Sequence, residues 1–238
     1  MERRERVFLV LIGLFLLCLI VANVFAASKL IQIDLGFHTV VVAVGILPYP
    51  LTFLVTDLIS ELYGRQRANF AVLLGFFVSL GLLVLIGVGK AVPSFDAEQQ
   101  RLFASFFSTN TRAVFASMLA YLIAQFLDVR LFHFWKDLTR GKHLWLRNNG
   151  STVGSQLVDT VVVTTVLFWG TSPPFMNGQT MGMAEIAPII RDGFVFKAIV
   201  AVLDTPLIYA CVYLLKPRIG GAPEYEPDAT VQAEDLRR

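Results

Sequence analysis

Apolar residues fall in six long runs, over residues 7–28, 40–63, 68–90, 112–132, 152–172 and 193–215, and the short joins between them together with the two ends hold most of the charge. About 20 consecutive apolar residues in a helix cross the hydrocarbon core of a bilayer, so each run predicts one membrane-spanning helix. The runs are apolar at consecutive positions, whereas a membrane β-barrel alternates apolar and polar residues, which leaves helices as the spanning option. The expected fold is an all-α integral membrane protein, a bundle of six transmembrane helices over residues 1–218. A polar, acidic, disordered cytoplasmic tail is expected over residues 219–238.

The joins add detail. Residues 95–107 place Phe95, Leu102, Phe103, Phe106 and Phe107 among Asp96, Glu98, Gln99, Gln100 and Arg101, the pattern of a short interfacial amphipathic helix. Pro173 and Pro174 are expected to end the fifth span, and residues 175–190, with Gly178, Gly182 and Pro188, to form an outer loop. With the N-terminus in the cytoplasm, only Lys29, Lys90, Arg101, Arg112, Arg191 and Lys197 of the 20 basic residues fall outside. Positive charge concentrates on the cytoplasmic side of membrane proteins, so both ends are placed there. The basic start, the first apolar run and Val24-Phe25-Ala26 also imitate a signal peptide, but the run is long for one, and its removal would spoil the charge asymmetry.

Composition agrees with this reading. The chain is 55% hydrophobic and 16% charged, with a mean hydropathy of +0.65, where soluble proteins carry about a quarter charged residues. That excludes a disordered, fibrous or disulfide-rich secreted protein. A net charge of +2 with scattered basic residues excludes nucleic acid as partner; the expected partners are membrane lipid and a small molecule. Cys18 and Cys211 both lie inside apolar runs and form neither a disulfide framework nor a metal motif. Signatures of metalloproteases, serine hydrolases and nucleotide-binding loops are lacking, and His38, His133 and His143 have no metal-ligand spacing. No enzymatic activity, cofactor or metal is expected.

The chemistry lies in acids within the spans: Asp57, Asp128, Asp159 and Asp204, with Glu61 one turn beyond Asp57. Each acid left in contact with lipid would cost about 2.5–3.5 kcal/mol, so they must face one another, a partner or water. Asp57 and Glu61 are spaced i and i+4, and Gln125 with Asp128 and Gln156 with Asp159 are spaced i and i+3, so each pair shares a helix face. Lys197 and Asp204 lie along one stripe of the sixth span. Taken singly, an acid has the alternative reading of glue between helices, satisfied by Gln, Asn, Thr, Arg or Lys neighbours. Taken as a set they mark a polar pocket, since such residues generally border a substrate or proton path. From the helical rise, Asp57 and Asp159 lie roughly 10–12 Å from the cytoplasmic ends of their helices. Pro48 and Pro50 interrupt the second span, as broken helices do in transporter sites, although a kink that serves packing alone fits equally. Gly150 and Gly154 form a small-xxx-small pattern, and small residues of this kind make a homodimer plausible.

Residues 50–64, PLTFLVTDLISELYG, resemble the signature of the queuosine precursor transporter family, also called the vitamin uptake transporter family. Three further segments match in order: residues 124–128 (AQFLD), 147–159 (RNNGSTVGSQLVD) and 197–209 (KAIVAVLDTPLIY). The resemblance implies import of 7-cyano-7-deazaguanine, with its 7-aminomethyl relative, across the bacterial inner membrane by a multi-pass secondary transporter, for salvage into tRNA queuosine. A deazaguanine offers an N–H beside an exocyclic NH₂, which one carboxylate accepts in bidentate fashion, and an O6 that needs a donor. One of Asp57, Glu61, Asp159 or Asp204 is expected to grip that edge, with Asp128, Gln125, Gln156, Asn148 and Asn149 completing the polar contacts. Tyr49, Phe53 and Tyr121 are candidates to cover the ring, and Arg65, Arg147 and Lys197 to gate the site or pair with its charges. The surplus acids also suggest energising by protons. The alternative function is a substrate-capture subunit of an ATP-driven vitamin importer, and a third class is a membrane scaffold without cargo.

Overall fold

The computed structural model describes residues 2–26, 30–34, 36, 39–107, 111–170 and 180–220. Helices α1 (Arg3–Ala26), α2 (Tyr49–Tyr63), α3 (Arg65–Ala91), α4 (Ala97–Phe106), α5 (Thr111–Leu138), α6 (Leu144–Phe168), α7 (Met183–Leu203) and α8 (Thr205–Leu215) make up nearly all of it. Three stretches among the described residues, Arg3–Phe25, Arg65–Ala91 and Met183–Ile219, are long and apolar enough to cross a membrane.

The bundle surface is that of a protein facing lipid. On α3 the large apolar residues Phe70, Leu73, Phe77, Leu80, Val84 and Val88 are exposed, while Ala68, Ala71, Val72, Gly75 and Ser79 are buried. The exposed stripe is about 27 Å long at 1.5 Å per residue, far more continuous apolar surface than a protein exposes to water. The small inner face lets neighbours approach closely. A Cβ on Gly75 would lie 2.5 Å from Tyr121 Oη, 2.7 Å from Phe15 and 2.9 Å from Leu19, so α1, α3 and α5 meet there.

Helix α2 is the centre of the molecule, with every residue from Thr52 to Tyr63 buried. Pro50 sits in its first turn, where the missing N–H costs nothing. Gly64 ends it at φ +84° and ψ 174°, a conformation essentially reserved for glycine, and its N–H closes on the Ser60 carbonyl at 3.2 Å before α3 begins. At 15 residues α2 is about 22 Å long, short of the roughly 30 Å hydrocarbon core.

Several boundaries differ from the sequence expectation. The second run does not begin as a helix: Leu30–Asp34 (β1) and Thr39–Ala43 (β2) pair antiparallel, with Leu30 opposite Ala43 and Asp34 opposite Thr39, and a 3-10 turn, Val44–Ile46, leads into α2. A run of β-branched Thr39, Val40, Val41 and Val42 is as apolar as a helix and favours a strand. Pro48 and Pro50 therefore mark the helix start rather than a kink inside a span. The sixth run is two helices, because Pro206 cannot donate to the Val202 carbonyl, and α7 ends at Leu203 with Asp204 as its cap. The expected outer loop at 175–190 is helical from Met183 onward, capped where the Gly182 N–H donates to Glu185 Oε2 at 2.8 Å. The fourth and fifth runs extend into their join, α5 to Leu138 and α6 from Leu144, which draws Lys136, Arg147, Asn148 and Asn149 into helices. The amphipathic segment is helical as expected, α4. Residues 221–238 of the expected tail, His38 and the Pro173-Pro174 pair lie outside the described residues.

Helices α5 and α6 form the most extensive pairing in the bundle. Gly150 and Gly154 serve it: a Cβ at Gly150 would meet Trp135 Nε1 at 2.6 Å, and one at Gly154 would meet Leu131 at 2.9 Å. The small-xxx-small pattern is thus occupied inside the chain.

Candidate functional site

The polar side chains form a ladder between α2 and α6. From Tyr49 to Asp57 to Glu61 along α2, the partner on α6 moves from Asp159 to Thr152 to Arg147. The two helices therefore run antiparallel, and the ladder is about 18 Å long, twelve residues on each helix.

At one end, Arg147 Nη2 donates to Glu61 Oε1 at 2.6 Å, and Lys136 Nζ of α5 lies 3.3 Å from Glu61 Oε2. Arg147 Nη1 also donates to the carbonyls of Gly141 (2.8 Å) and Lys142 (3.1 Å), and its guanidinium lies over the Phe132 ring. The sequence reading put Arg147 in the join before the fifth span and among the residues that pair with the site's charges; the structure leaves it only 3% exposed, because α6 starts about two turns earlier than expected. Next to this pair opens a cavity of about 500 Å³, lined by Glu61, Arg147, Tyr209, Tyr213 and Lys216 among others.

In the middle, Asp57 and Asp128 face each other across α2 and α5 within hydrogen-bonding reach, both fully buried. Thr152 Oγ1 donates to Asp57 Oδ2 at 3.3 Å, and Ser155 Oγ donates to Asp128 Oδ1 at 2.9 Å. Beside them Gln125 Nε2 donates to Thr52 Oγ1 (3.3 Å), and Thr56 Oγ1 donates to Gln125 Oε1 (3.2 Å).

At the far end, Lys197 of α7 pairs with Asp159 Oδ2 at 2.5 Å, and Tyr49 Oη donates to Asp159 Oδ1 at 3.0 Å. The ammonium lies 5.4 Å from the Tyr49 ring centre, and Phe53 meets that ring edge-on. Tyr49, Thr152, Gln156, Phe196, Lys197 and Asp204 line a small pocket of about 10 Å³, room for roughly one water. Gln156 Oε1 is buried there and accepts no hydrogen bond.

The expected residues therefore separate. Tyr49, Gln156, Asp159, Lys197 and Asp204 come together, with Phe53 behind Tyr49. Asp57, Asp128 and Gln125 form the middle rung, and Glu61 and Arg147 the first. Tyr121 instead donates to the Val72 carbonyl at 2.9 Å and packs against Gly75. Asn149 donates to Thr205 Oγ1 (2.7 Å) and so ties α6 to α8, while Asn148 is buried with an unpaired Oδ1. Arg65 lies half-buried at the first position of α3. Lys197, counted above as an outside charge, is 14% exposed and belongs to the interior. The sequence reading passed over Lys136, Thr52, Thr56, Thr152, Ser155 and Phe196. The hydroxyls form a pattern in the sequence, one and two turns before Asp159 on α6 and one and two turns before Ser60 on α2. Among the described residues no group of three or more His, Cys, Asp or Glu is placed to hold a metal.

A lipid-facing helical bundle with charged groups and a polar pocket in its interior is built to hold a polar solute out of hydrocarbon, the architecture of a membrane transporter. The chain belongs to the putative vitamin uptake transporter family, whose pattern it matches over residues 43–211. It is 32% identical over 169 residues to a probable queuosine precursor transporter of Bacillus subtilis, covering 70% of this chain and 69% of that protein. It is 28% identical over 196 residues to the queuosine precursor transporter of Escherichia coli, covering 81% and 80% of the two chains. A probable queuosine precursor transporter of Haemophilus influenzae is 28% identical over 143 residues, covering 60% of this chain and 57% of that one. No solved structure matches the chain.

Proposed function

We propose that this protein carries the queuosine precursors 7-cyano-7-deazaguanine and 7-aminomethyl-7-deazaguanine into the cell across a bacterial inner membrane. Six crossings, by α1, the α2 segment, α3, α5, α6 and the α7–α8 pair, put both ends of 1–218 in the cytoplasm, along with the tail at 219–238. The Glu61–Arg147 end of the ladder then faces inward.

The observation that supports this reading is the pocket lined by Tyr49, Gln156, Lys197 and Asp204, whose Lys197 and Tyr49 are held in place by Asp159. Each rung of the ladder has a different charge balance. Glu61 is held by two cations, and Asp57 and Asp128 hold each other, but the far rung keeps Asp204 and the unpaired Gln156 Oε1 turned to a cavity. A carboxylate there accepts the N–H and NH₂ edge of a deazaguanine, Lys197 donates to O6, and the Tyr49 ring covers the flat face. The aminomethyl cargo, a cation, gains from the second acid. At about 10 Å³ the pocket is closed, and the helix break between Asp204 and Pro206 is the joint at which α7 and α8 part to admit a purine-sized ring.

Binding of radiolabelled 7-cyano-7-deazaguanine to the purified chain tests the site. The wild type should bind, guanine should compete weakly, and Asp159→Asn and Lys197→Met should each weaken binding tenfold or more. Equal binding by both variants would remove the pocket from the account. Uptake into liposomes by the chain alone, without ATP, separates a self-sufficient transporter from a capture subunit and from a scaffold.

A further inference from the structure

We infer that Asp57 and Asp128 form a proton-binding site that couples proton entry to cargo movement; this rests on the transport reading above and names its driving ion. Both residues are fully buried, one on α2 and one on α5, with their carboxyl groups within hydrogen-bonding reach of each other. On each, one oxygen is occupied: Asp57 Oδ2 accepts from Thr152, and Asp128 Oδ1 from Ser155. The other oxygen of each, Asp57 Oδ1 and Asp128 Oδ2, is buried and accepts no hydrogen bond. A carboxylate has no proton to donate, so two carboxylates in contact repel and leave each other unsatisfied. One proton between them supplies a donor to one group and an acceptor to the other, and removes one of the two negative charges.

Among the described residues, no charged group reaches the pair to do this. The side chains of α6 that reach it are the hydroxyls of Ser151, Thr152 and Ser155, all neutral. The buried charged groups nearest the pair are engaged elsewhere, Glu61 on α2 with Arg147 and Lys136, and Asp159 on α6 with Lys197, while Arg130, two residues beyond Asp128 on α5, is exposed. The link to the cargo is Thr152, which both donates to Asp57 and lines the pocket with Gln156, Lys197 and Asp204. A ligand that moves Thr152 alters the hydrogen bonding of Asp57, and loss of the shared proton sets two like charges against each other across α2 and α5. Protonation at the pair and occupancy of the pocket thereby bias the same helices.

The test uses the full chain in liposomes loaded with a pH-sensitive dye and given radiolabelled 7-cyano-7-deazaguanine. With the outside one pH unit more acidic, wild-type vesicles should concentrate the neutral precursor up to tenfold, the limit for one proton per molecule, and the dye should report acidification that depends on the precursor. Asp57→Asn and Asp128→Asn should let the label equilibrate without concentrating it. Wild-type vesicles that equilibrate the label but ignore the pH gradient would overturn the proton site alone, as would accumulation driven by sodium or Asn variants that concentrate label as the wild type does. Label that fails to enter at all would overturn the transport reading itself. Should the variants fail to insert, the infrared spectrum of the wild type decides: a protonated-carboxyl band at neutral pH supports the site, and its absence overturns it.

Discussion

Replacing Arg147 by Met tests whether the first rung of the ladder holds the bundle together. The guanidinium makes hydrogen bonds of 2.6 Å to Glu61, 2.8 Å to the Gly141 carbonyl and 3.1 Å to the Lys142 carbonyl. Its loss leaves Glu61, 7% exposed, with Lys136 at 3.3 Å as its remaining ion-pair partner. Breaking a buried ion pair by removing one partner costs about 3–5 kcal/mol. The retained ammonium keeps Arg147→Met near the low end, about 3 kcal/mol, or roughly 150-fold in the unfolding constant. Glu61→Gln strands the buried Arg147 and the partly buried Lys136 and falls nearer 5 kcal/mol. In the double variant each loss removes the reason for the other, so its cost should be smaller than the two single costs combined by about 2–3 kcal/mol. The assay is equilibrium unfolding in mixed micelles with increasing denaturing detergent, followed by the fluorescence of the 3 tryptophans. Costs that add to within about 0.5 kcal/mol would refute the reasoning, because independent sites behave that way.

Three further outcomes follow from backbone and packing. Gly64→Ala should cost about 1–3 kcal/mol in the same unfolding assay, since φ +84° with ψ 174° is open to glycine and strained for alanine; an unchanged midpoint would count against the α2–α3 geometry. Gly150→Leu should lower the yield of folded protein sharply, because even a Cβ there comes within 2.6 Å of Trp135. Normal yield, read by size-exclusion chromatography, would contradict the α5–α6 seam. Pro206→Ala restores an N–H where α7 and α8 break, so uptake should fall about tenfold at equal expression, and undiminished uptake would remove the joint from the mechanism.

Much of this molecule is legible in the chain, and what is hidden has physical reasons. Long apolar runs mark α1, α3, α5 and α6, and the mix of Phe with Asp, Glu and Gln marks α4. The stretch from Thr39 to Ala43 reads the same in hydropathy whether it is strand or helix, and only the β-branched residues and the prolines at 48 and 50 separate the two. Pro206 announced its break in plain sight, but an unbroken apolar run masked it. Arg147 illustrates a different limit. The sequence names it as a charge to pair with the site's acids but not which acid, and Glu61 lies 86 residues away. The acids were found as a set, whereas their division into a doubly neutralised Glu61, a mutually facing Asp57 and Asp128, and an Asp159 bound to Lys197 depends on the antiparallel course of α2 and α6. The hydroxyls of Thr152 and Ser155 carry no charge signal at all and become meaningful only beside the acids they bind.

The measurement that tests the central claim most directly is made in a bacterium that lacks both queuosine precursor synthesis and its own importer, supplied with dilute 7-cyano-7-deazaguanine. The account predicts that this chain restores queuosine in tRNA, and that Asp159→Asn, expressed in the membrane to the same level, does not. Unmodified tRNA in cells with ample wild-type protein in the membrane, or full modification with Asp159→Asn, would contradict it.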